Sequence, residues 1–493
     1  MRWILLLLMS HALAAAPPLR QRIDRIREAS PAARRAHWGI HVVDLASGKT
    51  LYARNETSYF VPASNTKLFS TSLALVRLGP DHRFRTLVIA ERSPDPAGRV
   101  AGDLILYGGG DPTLSGRPIP YEKGAAMGDP LAAIDELAGR TFARGLRRVD
   151  GDVIGDDTAY LWDPYPDGWA QNDTIWEYGA PVSALTVNDN TISLTLRPGA
   201  AADEPARISM SPPLEYYQIE NRVRTVDKGG RRIWLDRPAG SRELRIWGTI
   251  PRSGGAATQL LAIDDPALYA ALAFRDALER RGVMIRGRAV ARHRPVNEAG
   301  DPAKGIPPQP PAGVELARRE SPPLIETLRV VNKISQNLQA ELVLREVGRA
   351  RRGAGSREAG LEELKAMLSE AGAAAEDYHF EDGSGLSRLT LVTPALATRL
   401  LRFVRSTPNG ADWVKLMPVG GQDGTLADRF EGQLAAARIH AKTGSLSHVS
   451  ALSGYVEREA SPARVFSIMV NNYNCPTSEI RRVIDKMALA LVD

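Results

Sequence analysis

A serine and a lysine lie three residues apart in the segment Ser64-Asn65-Thr66-Lys67. The apolar periodicity of the residues that follow predicts a buried helix that begins near Ser64. Since residues three apart share one helix face, the hydroxyl and the amine can meet there. A neutral lysine can take the proton of a serine hydroxyl and turn that serine into a nucleophile. The competing interpretation is an ordinary helix start, with Ser64 as its cap and Lys67 as a surface charge.

A second polar pair, Ser335 and Asn337, interrupts a helical stretch. Residues two apart do not share a helix face, so we predict a turn or a helix junction between them. A hydroxyl at this place can relay a proton to a leaving amine, and the carboxamide can orient both the lysine and a substrate carbonyl. Taken alone, the pair is more simply explained as two polar residues on an exposed helix.

A third motif, Lys442-Thr443-Gly444-Ser445, is predicted to end a strand. Gly444 would let the backbone lie close to a ligand. The backbone N–H groups of Ser445 and Ser64 would form a two-donor oxyanion hole. Lys442 supplies positive charge, and the hydroxyls of Thr443 and Ser445 can hold a substrate carboxylate. A strand-ending turn explains this motif by itself, but the three motifs in this order predict an enzyme that forms a covalent acyl-serine.

The two ends of the chain contain the elements that must position these motifs. The predicted fold class is α+β: a mainly antiparallel sheet flanked by terminal helices, beside an all-helical cluster that carries Ser335. An N-terminal hairpin and a C-terminal meander supply the sheet. Its strands are predicted at 38–45, 50–53, 439–442, 449–456 and 465–471, and helices are predicted at 18–35, 265–281 and 323–347.

Between the first and second motifs, short strand-like runs separated by Gly, Pro and Asp predict a β-rich insertion. We place the catalytic domain at 15–89 and 257–493, and the insertion at 90–256. The insertion contains no catalytic motif of its own and is interpreted as two nested domains. The insertion therefore has to lie outside the catalytic core, which the segments before and after it form together.

The first residues of the chain predict export. Arg2 supplies a positive charge, residues 4–9 form a short apolar run, and Ala12-Leu13-Ala14 offers small residues for cleavage. We therefore expect a signal peptide at 1–14 and a periplasmic mature protein. No later stretch of the sequence reaches the apolar length of a membrane span.

Composition narrows the remaining classes of function. The 493 residues include 63 basic and 57 acidic side chains, a formal net charge of +6. This bias can assist approach to an anionic polymer such as a cell wall, but the basic residues are dispersed, which argues against nucleic-acid binding. A single cysteine, Cys475, excludes an internal disulfide. The sequence has no Walker loop, dinucleotide-binding or zinc-protease motif, so we expect neither a cofactor nor a metal.

Together the three motifs resemble those of the class C low-molecular-mass penicillin-binding proteins, the D-alanyl-D-alanine carboxypeptidase/endopeptidase family. The resemblance covers nearly all of the chain after the signal segment, including the long interval between Lys67 and Ser335. It implies a penicillin-binding transpeptidase/β-lactamase-like catalytic domain with inserted domains. Further matching segments are Val61-Pro62-Ala63, Gly109-Gly110-Asp111-Pro112-Thr113-Leu114, Asp382-Gly383-Ser384-Gly385-Leu386-Ser387-Arg388 and Gly424-Thr425-Leu426.

The resemblance implies a role for each motif residue. Ser64 would be acylated by the D-Ala-D-Ala end of a peptidoglycan stem peptide, or by the D-centre of a cross-link, and water would then deacylate it. Lys67 would be the base and Ser335 the proton relay. Asn337 would be a positioning group and Lys442 an electrostatic support. β-Lactam antibiotics such as penicillins would acylate the same serine.

The resemblance also bears on substrate choice. Family members that cut diaminopimelate-containing peptides hold that side chain with an acid and an arginine. The best counterparts here are Asp163 and Arg388. Ser447 stands where some relatives have glutamine, which affects the side-chain specificity and not the chemistry.

Two rival functions are compatible with the same motifs. A serine β-lactamase or esterase on this core would turn β-lactams over rapidly instead of forming a long-lived acyl-enzyme. A non-catalytic wall-binding scaffold would have no need of intact polar residues at every motif. The large insertion and the Ser335-Gln336-Asn337 element favour the peptidase.

Overall fold

The computed structural model describes residues 17–296, 309–459 and 461–492. The predicted signal segment, 1–14, lies outside the described residues. The helices are α1 (Leu19–Glu28), α2 (Pro31–Arg35), α3 (Thr66–Leu78), α4 (Ala132–Ala143), α5 (Pro266–Glu279), α6 (Leu324–Ile334), α7 (Asn337–Arg352), α8 (Arg357–Glu370), α9 (Pro394–Arg405), α10 (Gly410–Lys415) and α11 (Thr477–Leu489). Within the described ranges, no helix combines the length and the apolar character that crossing a membrane requires.

The strands are β1 (His37–Asp44), β2 (Thr50–Arg54), β3 (Arg85–Ala90), β4 (Arg99–Val100), β5 (Leu104–Gly108), β6 (Arg148–Val149), β7 (Val153–Trp162), β8 (Thr191–Arg197), β9 (Arg207–Ser211), β10 (Gln218–Val226), β11 (Arg232–Asp236), β12 (Glu243–Pro251), β13 (Ala257–Ala262), β14 (Met284–Ile285), β15 (Ala289–Pro295), β16 (Val314–Glu320), β17 (Tyr378–His379), β18 (Leu391–Val392), β19 (Ile439–Leu446), β20 (Val449–Val456) and β21 (Arg464–Asn471).

A five-stranded sheet joins the two ends of the chain, in the order β19-β20-β21-β1-β2. All of its neighbouring strands are antiparallel. This confirms the mainly antiparallel sheet expected from the N-terminal hairpin and the C-terminal meander. The strand that carries Lys442 and Ser445, β19, is an edge strand. At Ile439 and Ala441 its outer backbone groups bind Gly420 and Pro418, so an extended ligand can pair only with the part of the edge beyond Ala441.

Helices cover both faces of this sheet. On one face, Ile40 and Val470 belong to the same apolar core as Ile484 of α11. On the other face, Val43 and Met469 belong to a core that includes residues of α3, α7 and α9. Because both faces are packed, the edge strand and the start of α3 are held by one rigid framework.

The helix predicted at 18–35 is two helices, α1 and α2. The hydroxyl of Ser30 accepts a hydrogen bond from the Ala33 backbone N–H at 3.3 Å. Pro31 takes the first position of α2, where a missing N–H costs nothing. The single-helix prediction was wrong here because a Ser-Pro pair is a helix start signal inside an otherwise continuous pattern.

The inserted part is an α/β unit that reaches beyond the predicted limits of 90–256. Its largest sheet has the order β15-β7-β5-β3-β16. The helix α5, which was assigned to the catalytic domain, packs against β7 and β15 of this sheet and against α4. The strands of this sheet thus lie on both sides of the predicted limits, from β3 at Arg85–Ala90 to β16 at Val314–Glu320. Because β3 and β16 pair although they are far apart in the chain, no local sequence pattern indicates that they share a sheet.

Three three-stranded sheets complete the described part of the insertion: β13-β8-β9, β10-β12-β11 and the short β14-β6-β4. In the second of these, Val223, Leu244 and Ile246 are buried in the apolar core of the insertion. The residues that alternate with them along β10 and β12 are exposed. This sheet therefore has one packed face and one open face.

Candidate active site

Ser64 lies in a 3-10 turn, Ala63–Asn65, that runs directly into α3. Ala63 has a φ of +48°, a sparsely populated conformation for a residue with a side chain. The Asn65 side chain donates a hydrogen bond to the Lys442 carbonyl at 2.9 Å. The turn that presents the serine is thus tied to the edge strand of the sheet.

Gly444 permits this close approach. A Cβ atom at Gly444 would lie 2.5 Å from the Pro62 carbonyl oxygen and 3.2 Å from the Ser64 nitrogen. Contacts this short are not tolerated by a side chain, so glycine is needed where β19 passes the serine turn. The sequence argument expected a close approach to a ligand; the close approach in the structure is between two parts of the chain.

Lys67 is fully buried, and its amine contacts three oxygen atoms. Its Nζ lies 2.9 Å from the Ser64 Oγ, 2.6 Å from the Asn337 Oδ1 and 2.7 Å from the Ser384 carbonyl oxygen. A neutral amine has two N–H donors, which suffice for Asn337 and Ser384. Its lone pair then remains for the Ser64 hydroxyl.

The charge state of Lys67 fits that arrangement. Burial lowers the pKa of Lys67 from 10.5 to about 7, although the nearby carboxylates of Asp382 and Glu341 act in the opposite direction. Desolvation penalises the ammonium form more than the carboxylates stabilise it. The amine is therefore able to accept a proton near neutral pH.

Ser335 lies at the junction that the two-residue spacing predicts. It ends α6 in the left-handed conformation with a φ of +64°, and α7 begins at Asn337. Its Oγ accepts a hydrogen bond from the Lys442 Nζ at 2.9 Å. The Asn337 carboxamide, besides binding Lys67, donates to the Tyr178 carbonyl at 2.7 Å.

Lys442 is the second buried amine of the site. Burial, reinforced by the nearby Lys67, holds the pKa of Lys442 well below its ordinary value. Besides Ser335, its Nζ binds the Thr443 carbonyl at 2.9 Å. The two lysines, one beside each serine, lie close enough to influence each other electrostatically.

A cavity of about 390 Å³ joins the three motifs. The motif residues that line it are Ser64, Ser335, Asn337 and Ser445. The rest of the lining consists of Gly168, Ala170, Asp173, Tyr178, Gly385, Leu386, Arg388, Leu446 and Ser447. The expected meeting of distant segments around one cleft is therefore present in the structure.

Of the two residues proposed to hold a substrate carboxylate, Ser445 and Thr443, only one lines the cavity. Ser445 lines the cavity, and its Oγ accepts a hydrogen bond from Arg481 at 3.0 Å. Thr443 does not line the cavity; its Oγ1 lies 2.8 Å from the Thr425 Oγ1. Sequence reasoning missed Arg481 because it belongs to α11, whose regular apolar stripe suggested only a structural helix.

The two side-chain anchors inferred from resemblance are separated. Arg388 lines the cavity and donates to the Ser447 carbonyl at 3.3 Å. Asp163 is instead paired with Arg357 at 3.1 Å and is not part of the lining. The acid that lines the cavity with Arg388 is Asp173, ten positions later in the same segment. Asp163 lies in an irregular loop and Asp173 ends a short 3-10 turn, Gln171–Asp173, and no sequence pattern marks either as a cavity residue.

A buried acid, Glu341, supports the base and was also missed. Its Oε1 accepts hydrogen bonds from the backbone N–H groups of Gly383 and Ser384 at 2.9 and 2.8 Å. The Arg345 Nη1 donates to its Oε2 at 3.0 Å. Glu341 thus fixes the turn whose Ser384 carbonyl binds Lys67. Its burial is visible only in the structure, so no local sequence pattern distinguished Glu341 from the other acid of α7, Glu346.

Comparison with known proteins places the chain in a family. Residues 19–491 match the D-Ala-D-Ala carboxypeptidase 3 (S13) family. The chain belongs to this family. It is similar to a D-alanyl-D-alanine carboxypeptidase of Actinomadura sp. strain R39, with 36% identity over 470 residues that cover 93% of this chain and 82% of the relative.

Solved structures agree on the fold. The crystal structure of penicillin binding protein 4 from Haemophilus influenzae matches with a TM-score of 0.80 and 21% identity, covering 95% of this chain and 98% of that one. The same protein complexed with a β-lactam matches with a TM-score of 0.75, 20% identity and the same coverage. The expected penicillin-binding fold and the assignment as a serine-type D-Ala-D-Ala carboxypeptidase are confirmed.

Proposed function

We propose that this carboxypeptidase is exported and hydrolyses both D-alanyl-D-alanine ends and D-centre cross-links of peptidoglycan through an acyl-Ser64 intermediate. The observation that supports it most strongly is the buried Lys67 amine, 2.9 Å from the Ser64 Oγ and with a pKa of about 7. A base with a pKa near the working pH combines the correct protonation state with sufficient basicity.

Acylation begins when the Ser64 Oγ attacks the carbonyl carbon of the penultimate D-alanine. A C–O bond forms while Lys67 takes the hydroxyl proton. The carbonyl oxygen becomes an oxyanion, which the backbone N–H groups of Ser64 and Ser445 stabilise. Each such donor contributes about 3 kcal/mol to the transition state in comparable enzymes.

The intermediate collapses by breaking the C–N bond. The leaving nitrogen takes up the proton that Lys67 received from Ser64, passed on through the Ser335 hydroxyl, which is hydrogen-bonded to Lys442. Lys67 is then neutral again. The leaving group is D-alanine from a peptide end, or the amine of a second stem peptide from a cross-link. Water then attacks the ester with Lys67 again as base, which restores the Ser64 hydroxyl.

Charges at the cavity suit a zwitterionic substrate side chain. Asp173 and Arg388 both line the cavity and have opposite charges. An amine and a carboxylate on one side chain, as in diaminopimelate, can pair with this acid and this arginine. Asp173 therefore replaces Asp163 as the proposed acidic anchor. Arg481, hydrogen-bonded to Ser445, is placed to favour the terminal carboxylate of the substrate.

β-Lactams are proposed to acylate the same serine, because their amide carbonyl can occupy the position of the D-alanyl carbonyl. The rival β-lactamase function would release the opened ring quickly. Incubation of the purified protein with a pentapeptide and with a cross-linked muropeptide dimer tests the proposal. We expect free D-alanine from the first and monomer from the second. Absence of both products, together with rapid β-lactam turnover, would contradict it.

The proposed export has its own test. Expression of the full chain with its first residues intact should yield a protein in the periplasmic fraction whose N-terminus lies near Ala15. An unprocessed chain that starts at Met1 and stays in the cytoplasmic fraction would reject the signal-peptide assignment.

A further inference from the structure

Two tryptophans lie on the open face of the sheet β10-β12-β11. Outward positions of a sheet with one packed face are normally polar. Trp234 is nevertheless 51% exposed and Trp247 41% exposed. They are direct cross-strand partners in the antiparallel pair β11–β12. Neither belongs to the apolar core of the insertion, so packing does not account for them.

Charged side chains complete the surface, which we name the Trp platform. Arg222 is the β10 partner of Trp247, so one guanidinium and two indoles form a row across three strands. The adjacent outward row consists of Glu220, Arg245 and Asp236. A groove of about 370 Å³ lies over this part of the sheet, lined by Glu220, Arg222, Asp236, Arg245, Ile246 and Trp247.

Gly248 gives one of the indoles its position. A Cβ atom there would lie 2.0 Å from the Arg232 carbonyl oxygen and 3.0 Å from the Cε3 atom of Trp234, and Gly248 has a φ of +123°. Glycine is therefore needed first for the close approach of the β11 backbone. The missing side chain lets the indole lie against the sheet while its other side remains open to solvent.

The platform and the catalytic cavity both adjoin the segment 170–176 of the insertion. A cavity of about 400 Å³ lies between the end of β11, at Asp236 and Arg237, and the segment 171–176. The Arg237 Nη2 donates to the Thr174 carbonyl at 2.9 Å. Thr174 directly follows Asp173, which lines the catalytic cavity. Asp236 also lines the platform groove, so the intermediate cavity shares a residue with the platform and is lined by the sequence neighbours of Asp173.

We propose that the Trp platform binds the glycan strand of peptidoglycan, a polymer of β-linked N-acetylated hexopyranoses. This inference rests on the proposed function, because the stem peptides are attached to that polymer. The C–H faces of pyranose rings pack on indole rings, and charged side chains beside them pair with hydroxyl and N-acetyl groups. Arg222 and Arg245 pair with Glu220 and Glu243, and two acids and two arginines line the groove. The surface is therefore polar without a net charge, which suits a polymer bound mainly through hydroxyl and N-acetyl groups. A strand held on the platform keeps its stem peptide near Ser64.

The test uses the full chain with Ser64→Ala, so that nothing is cleaved, and soluble glycan strands freed of their stem peptides. Isothermal titration calorimetry should give saturable binding. In the Ser64→Ala protein, Trp234→Ala/Trp247→Ala should raise the Kd for the glycan by about tenfold or more, as expected for truncated aromatic anchors. Trp234→Phe/Trp247→Phe, which keeps flat rings, should retain most of the affinity. Met284→Ala, an exposed apolar site elsewhere in the insertion, is the control and should bind like the parent.

Activity separates the platform from the proposed function. With Ser64 intact, Trp234→Ala/Trp247→Ala should cleave a short pentapeptide at the parental rate but polymeric peptidoglycan more slowly. No pentapeptide cleavage by the parent would contradict the proposed function. Equal glycan affinity of the parent and the alanine double variant overturns the platform. The platform proposal is also overturned if the parent self-associates and the alanine double variant does not. The platform would then join two copies of the chain.

Discussion

Lys67 and Lys442 are buried amines that each lie 2.9 Å from a serine hydroxyl. Burial disfavours the ammonium form of both, and the proximity of two amines disfavours two simultaneous charges. One proton shared by this group can therefore move between Ser64, Ser335 and the substrate without a large change in net charge. At the scale of single residues, the chemistry depends on desolvation of these two side chains.

The pKa of Lys67 determines how acylation depends on pH. Because that pKa is lowered to about 7, the amine is charged below this value and neutral above it. The second-order rate of acylation by a fluorescent penicillin should rise as the pH passes about 7 and then level off. A rate that stays constant from about pH 5.5 to about pH 8.5 would contradict the role of Lys67 as base.

Glu341 should tune that pH dependence. Its negative charge raises the pKa of Lys67, so Glu341→Gln should move the midpoint of the acylation profile to lower pH. The amide oxygen can still accept from Gly383 and Ser384, whereas Glu341→Ala leaves both N–H groups unpaired, at a cost of about 1–3 kcal/mol each. Thermal unfolding should therefore show a larger loss of stability for the alanine variant.

The control for this prediction is Glu346→Gln. Glu346 is also fully buried on α7 but pairs with His82 and Arg349. Its replacement should reduce stability without moving the pH midpoint. A midpoint that is unchanged in Glu341→Gln, or equally shifted in both variants, would show that Glu341 has only a structural role.

The roles of Asp173 and Asp163 can be distinguished by measuring kinetics with different substrates. Asp173→Asn should raise the KM for a peptide that contains diaminopimelate, because the side-chain amine loses its charged partner, while acylation by a small penicillin stays close to parental. Asp163→Asn disturbs the ion pair with Arg357 and should affect stability only. The reverse pattern would restore Asp163 as the acidic anchor.

At the scale of elements, the site depends on how closely β19 approaches the turn before α3. Gly444→Ala places a Cβ atom 2.5 Å from the Pro62 carbonyl oxygen, so strand and turn must separate. A displacement of about 1 Å can reduce catalysis by roughly 10²-fold, which we expect for penicillin acylation. Gly230→Ala, where a Cβ meets open space, is the control and should acylate normally. An unimpaired Gly444→Ala variant would refute the contact.

The sequence predicted the elements of the site where the residues that determine them are close together in the chain. The spacing of Ser64 and Lys67 specifies a shared helix face, and the spacing of Ser335 and Asn337 specifies a junction. Glu341 was not predictable in this way because the N–H groups it binds lie 42 and 43 positions away. Asp173 could not be distinguished from Asp163 for a similar reason, since its proximity to Arg388 arises only when the insertion packs on the helical cluster.

At the scale of the whole molecule, the insertion completes the catalytic site. Asp173 and Tyr178 lie between β7 and β8 of the insertion, yet both line the cavity around Ser64. The sequence predicted the sheet at the two chain ends, but not the pairing of strands on either side of the insertion. The strands β3 and β16 pair with each other across more than two hundred positions. Neither carries a signal that distinguishes it from a catalytic-domain strand.

The central claim is that Ser64 becomes covalently acylated with Lys67 as its base. Intact-protein mass spectrometry after exposure to penicillin measures this most directly, followed by peptide mapping. We expect the mass of one penicillin to be added at Ser64, no addition in Ser64→Ala, and strongly slowed addition in Lys67→Ala, with thermal unfolding confirming that both variants fold. An adduct on another residue, or an undiminished adduct in Ser64→Ala, would contradict the account.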